Sequence, residues 1–248
     1  LMRSPIKNLK KNTNSFSTLK KLIPKGSVVQ TYPFYDGALE FSLATTDRYA
    51  IGCTKSIVVY EFWLYAADDP KRISLIADKM FPAVNENTFD ILKSSWYSYK
   101  DPFVRSALFF LLNHCSSVGM ISHGDLDTKN YNPISLNELR TFKIDNFHSV
   151  FIKPDEEYAM LKDANFNLFS GGNYYYDLLS TEQVVGIEES PFRHSQMLSN
   201  FKDKPSIFVY AYHPRLGKLP GWEKIFLDQY GRITNEDNAK EIILHNVS

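Results

Sequence analysis

Cysteine is scarce in this chain: Cys53 and Cys115 are its only two, and they lie far apart. Two such thiols suit a reducing compartment better than a disulfide framework. Histidine is thin as well. Its six positions (114, 123, 148, 194, 213 and 245) are scattered, and no metal-ligand spacing emerges from them. Neither sign of charge dominates, because 28 basic residues balance 28 acidic ones. The global signature of a non-specific nucleic-acid binder is therefore missing. The longest apolar runs are far too short to span a membrane, no cleavable presequence is visible, and no membrane partner is expected.

What is present is an ordinary globular composition, 44% hydrophobic and 23% charged over 248 residues. That length supports one substantial core, or a core with a small insert. Aromatics reach 15%, which favours a well-packed interior. Charge is uneven along the chain: Arg3, Lys7, Lys10, Lys11, Lys20, Lys21 and Lys25 all precede the first acid, Asp36. A basic start of this kind suits either phosphate or a solvated arm and helix face.

Periodicity predicts an α/β order. Phe16, Leu19, Leu22 and Ile23 have helical spacing and stop at Pro24-Lys25-Gly26. Ser27–Thr31 reads as a strand, Pro33–Gly37 as a turn, Ala38–Ala44 as a helix and Tyr49–Gly52 as a second strand. A buried helix over 56–67 precedes Asp68-Asp69-Pro70, which starts the next one. Residues 71–115 read as helical, 119–133 as a hairpin or loop, and 136–142 as a helix. Strands are predicted at Ser149–Ile152, at Phe166–Phe169 and at Ser206–Tyr212, the last apolar throughout as in a buried parallel sheet, with a closing strand at Glu241–His245. Strand–turn–helix–strand order is what a parallel α/β sheet requires.

The segment Arg105–Gly119, RSALFFLLNHCSSVG, resembles the A-x-x-F-F-x-L-N-x-x-C-x-x-G scaffold of Dam-type DNA adenine-N6 methyltransferases. The resemblance extends over nearly the whole chain in element order. It implies a Rossmann-like, S-adenosylmethionine-dependent methyltransferase fold with a helical insert. The α/β domain would be 1–70 plus 145–248, and residues 71–144 would correspond to the family's DNA-binding region. Glu241–Asn246 resembles the family's closing E-(I/L)-(L/I)-x-x-N, and Ser206–His213 its strand after the catalytic loop.

Residues that face ligands in the family depart from its pattern. The cofactor turn, (D/E)-P-F-x-G-x-G, is matched by Tyr32-Pro33-Phe34-Tyr35-Asp36-Gly37. Pro33, Phe34 and Gly37 fit; Tyr32 replaces the acid and Asp36 a glycine, where Asp36 reads as a turn-former. The acid that would hold ribose hydroxyls after the second strand is Cys53, a small buried residue and a poor acceptor. The early glycine–lysine element corresponds to Asn12-Thr13-Asn14-Ser15 and lacks its lysine. The catalytic (D/N/S)-P-P-(Y/F) loop is matched only by Ser170-Gly171-Gly172-Asn173-Tyr174. No register keeps both its polar group and its aromatic, and two glycines replace the rigid prolines. The hairpin that grips DNA in the family here holds Ser122, His123, Asp125, Asp127 and one lysine, Lys129, which gives little counterion release.

Other groupings read as structural. Asp155-Glu156-Glu157 and Glu188-Glu189 are solvated, and adjacent His114 and Cys115 diverge on a helix. Tyr174-Tyr175-Tyr176 suits packing around the altered pocket, or a stacking platform, and His213–Lys218 reads as a basic loop. The expectation is a degenerate methyltransferase-like protein that binds no cofactor and acts in a larger assembly. Two alternatives stand beside it. One is a divergent active enzyme using S-adenosylmethionine, with Ser170 or Asn173 as its polar group. The other is a non-methylating DNA binder using Lys10, Lys11, Lys20 and Lys21. Resemblance alone places such a protein in bacterial or virus-infected cytoplasm, or in a virus particle.

Overall fold

Leu19 and Ile23 bury one side of helix α1 (Ser15–Leu22) against the sheet, and Pro24 ends it. In this computed structural model residues 3–7, 15–117, 124–153, 164–170 and 194–247 are described. Strand β1 (Val28–Tyr32) leads through a turn into α2 (Ala38–Ala44) and β2 (Tyr49–Thr54). Ser56 caps α3 (Ile57–Asp68) by accepting from Val59 N, and Asp69 caps α4 (Pro70–Met80) with proline in its first turn. After a 3-10 turn come α5 (Glu86–Ser95), capped by an Asn85–Thr88 box, then α6 (Pro102–Cys115) and α7 (Pro133–Arg140).

The chain then returns to the sheet as β3 (Phe147–Phe151) and β4 (Phe166–Ser170). There follow α8 (His194–Asn200), β5 (Ser206–Ala211), a helical turn α9 (Pro214–Gly217), β6 (Glu223–Leu227), β7 (Ile233–Thr234) and β8 (Glu241–His245). Among the described residues these strands make one sheet of order β3-β2-β1-β4-β5-β8-β6-β7. Strands β1 to β5 pair in parallel; β8 runs antiparallel between β5 and β6, and β7 is an antiparallel edge. The fold is therefore α/β with a mostly parallel mixed sheet.

Alternation along the strands divides the core. Val29, Leu168, Ile207 and Ile243 join Leu19, Leu39 and Leu43 in one cluster. Tyr32, Phe169, Phe208 and Ile242 join Met197 of α8 and Phe201 just after it in another. A third cluster unites Ile73, Phe89, Trp96, Phe109 and Leu139 with Phe34, Phe41, Val58, Phe62 and Trp63, so helices α4 to α7 share their core with the turn after β1 and with α3.

Three expectations need correction. The stretch 213–218 is a helical turn in which the His213 ring accepts from Arg215 N at 3.1 Å, where a loop was expected. Strand β5 is parallel only to β4, since its other neighbour, β8, is antiparallel. Strands β6 and β7 and helix α8 were not foreseen; the apolar part of EKIFL is only three residues long, and β6 is held by pairing with β8 and β7.

Candidate functional site at the carboxyl edge of the sheet

From β1 the chain moves to β2 on one side, and from β4 to β5 on the other, so the strand order reverses between β1 and β4. Open α/β sheets bind ligands outside the strand ends at such a point. Here that edge is built by Tyr32–Gly37, by Cys53–Lys55 and by the end of β4, where Tyr32 pairs with Phe169.

Gly37 sits at φ 75°, and a Cβ there would stand 2.5 Å from the Phe41 ring. Both the backbone conformation and the space require glycine. Asp36 makes the turn expected of it: its Oδ1 accepts from Ala38 N at 2.9 Å, and its carbonyl accepts from Ser4 Oγ. The three aromatics of the turn are all buried, Tyr32 to 1%, Phe34 to 2% and Tyr35 to 3% exposure. They diverge. Tyr32 enters the cluster of Cys53 and Phe169, with Lys55 Nζ 5.8 Å from its ring centre. Phe34 lies against Gly52, with Trp63 and Phe147 at 5.6 and 5.4 Å between ring centres. Tyr35 turns toward Phe109, and its carbonyl accepts from Trp63 Nε1 at 2.6 Å.

The turn is also tied down by its backbone, since Phe34 N donates to Cys53 O at 2.8 Å. Cys53 is buried, and burial pushes its thiol up to about 12, helped by the nearby carboxyl of Glu40. A neutral thiol in that place accepts hydrogen bonds poorly and carries no charge.

Glu40 was missed from the sequence. It is 3% exposed on α2, and burial raises its carboxyl to about 7; a hydrogen bond with Thr31 works against that rise and the charge of Asp36 adds to it. The signal was available in the seven residues ALEFSLA, too apolar around Glu40 to leave that helix a wet face. Two carboxyls, Asp36 and Glu40, thus stand in the turn and helix after β1.

Of the remaining predicted residues, few are described. Ser170 ends β4, paired with Val209, while Gly171, Gly172, Asn173 and Tyr174 lie outside the described residues. So do Lys10, Lys11, Asn12 to Asn14, Ser122, His123, the acidic groups at 155–157 and 188–189, and Tyr175 and Tyr176. Lys20 and Lys21 occupy the last turn of α1, and the Lys20 carbonyl accepts from Arg48 Nη2 at 2.7 Å. Arg48 immediately precedes β2, so these lysines lie at the opposite edge of the sheet from Gly37. In the loop after α6, Asp127 caps a 3-10 turn, and a single antiparallel bridge joins Ser116 to Leu126. Among the described residues no group of three or more His, Cys, Asp or Glu side chains is placed to hold a metal ion. No described helix is long and apolar enough to cross a membrane.

Compared with known proteins, the chain matches no protein-family model and no curated protein.

Proposed function

We propose that this chain is a Rossmann-like, methyltransferase-fold protein of Dam-type descent that has lost methyl transfer and acts by binding, as a structural or partner subunit. The sheet supports the fold half of this reading. Its order reverses between β1 and β4, which is compatible with a Rossmann-like fold, and its last strand enters antiparallel between β5 and β6.

The observation that carries the functional half is the packed turn after β1. A dinucleotide or nucleoside cofactor needs backbone open to approach there and an acceptor at the end of β2. This chain offers Tyr32, Phe34 and Tyr35, each buried, and the protonated thiol of Cys53. Asp36 adds a carboxyl in the turn where the cofactor's own carboxylate would approach. The residues present do not fit S-adenosylmethionine.

Calorimetry with S-adenosylmethionine, and separately with its demethylated product, tests this. The expected result is no heat of binding at millimolar ligand. Micromolar binding would overturn the reading in favour of a divergent active enzyme, to be followed by a methylation assay on adenine-containing DNA. Native mass spectrometry of the protein purified from its own host tests the second half, and a bare monomer with no bound macromolecule would remove it.

A further inference from the structure

A strap formed by Arg3–Lys7 crosses from the turn after β1 to helix α6. Ser4 Oγ donates to the Asp36 carbonyl, Ile6 is 2% exposed within the helical cluster, and Lys7 N donates to Asn113 Oδ1 at 2.8 Å. Beneath it lies His114, 5% exposed. One ring nitrogen, Nε2, is 2.6 Å from the Pro5 carbonyl, and the other, Nδ1, is 3.1 Å from the Asn130 carbonyl.

Both partners only accept. A neutral imidazole has one N–H, so it serves one carbonyl and turns a lone pair to the other; the imidazolium serves both but must be charged inside a dry site. The groups facing the ring decide which form the closed strap prefers. From α6 come Phe110, 4.4 Å away between ring centres, and the neutral Asn113; from the loop after α6 comes the Asn130 carbonyl. From the strap come the Pro5 carbonyl and the cation of Lys7. Cys115, Asp127, Tyr131 and Asp78, the next titratable groups, act on one another. Burial holds the ring's proton affinity below the ordinary value, and Lys7 adds to that; the two carbonyls oppose it and are outweighed.

We propose that His114 makes the Arg3–Lys7 strap a proton-operated latch, closed over the neutral imidazole and released in mild acid. Opening hydrates the charged ring and removes Lys7 from it. It also takes Ser4 from the Asp36 carbonyl, so the release reaches the turn that carries the altered cofactor motif. The latch does not depend on the functional reading above.

Amide hydrogen exchange at Ile6 and Lys7, corrected for the intrinsic pH dependence, tests the latch between pH 7.5 and 5.5. The expected result is a selective loss of protection at pH 5.5, with a ceiling of about tenfold set by one unit of distance from the ordinary imidazole value of about 6.5. Amides of β5 should keep theirs. In His114→Gln the loss should vanish. Should that variant fail to fold, Lys7→Gln serves, because without the like charge the loss at pH 5.5 should shrink. Protection that holds or rises in acid, a parallel loss in β5, or an undiminished loss in Lys7→Gln would each overturn the proposal.

Discussion

Phe34 and Gly52 fit only as a pair: a Cβ on Gly52 would stand 2.7 Å from the Phe34 ring. The ring comes from the turn after β1, the glycine from the middle of β2, and the contact seals the carboxyl edge of the sheet. Gly52→Ala should therefore cost about 1–3 kcal/mol through overpacking. Urea unfolding measures it, and Phe34→Leu in the same chain should return part of the loss, as coupled neighbours do. Equal costs with and without Phe34 would show that the ring yields freely.

Glu40 should make stability fall as pH rises. Folded, its carboxyl keeps the proton to about 7, while unfolded it releases it near the ordinary 4.5. Between those values the folded state binds more protons, so stability declines with pH, and the loss is complete above 7. Glu40→Gln should remove that slope and exceed the parent at pH 8 by roughly 1–3 kcal/mol. The comparison must be variant against parent, because His114 acts in the opposite sense. Its folded affinity for protons is lowered, so its contribution is complete above about 6.5 and is lost as pH falls. A parallel pair of stability–pH curves would refute the assignment to Glu40.

Arg48 is buried, and its guanidinium donates to the carbonyls of Ile23, Lys20 and Thr46 at 2.6–3.1 Å. It closes the end of α1 onto the loop before β2. Arg48→Met should cost roughly 2–4 kcal/mol by stranding those carbonyls. Arg48→Lys should recover little, because a point charge cannot reproduce the planar fork. Full recovery by lysine would mean that charge alone matters.

Arg105 of α6 grips Glu61 of α3 through two contacts of 2.7 Å, each side chain less than a fifth exposed. It also donates to the carbonyls of Tyr99 and Lys100. Glu61→Gln should cost about 1–3 kcal/mol, between the values for exposed and buried pairs. A double-mutant cycle with Arg105→Met checks it; a coupling near zero would make the pair ornamental to the packing of α3 on α6.

Much of the element order was legible because it is local. Ala38–Ala44 and Glu241–His245 were read from the sequence with the bounds they have in the fold, and Ser56 and Asp69–Pro70 mark the helix starts that they appear to mark. Less of the candidate site was legible. Gly37 declares its turn, whereas burial of Glu40 depends on what packs around α2, and the role of His114 depends on a carbonyl 109 positions away.

The sequence by itself determined the bounds of α2 and β8 and the capped starts of α3 and α4, since periodicity and capping act within a few residues. Only the tertiary structure decided that β8 enters between β5 and β6, and that Tyr32 fills one core cluster while Phe34 and Tyr35 fill another. It alone decided that the strap lies over His114. Those outcomes follow from contacts between distant segments, where the space left by one residue, such as Gly52, sets the place of another.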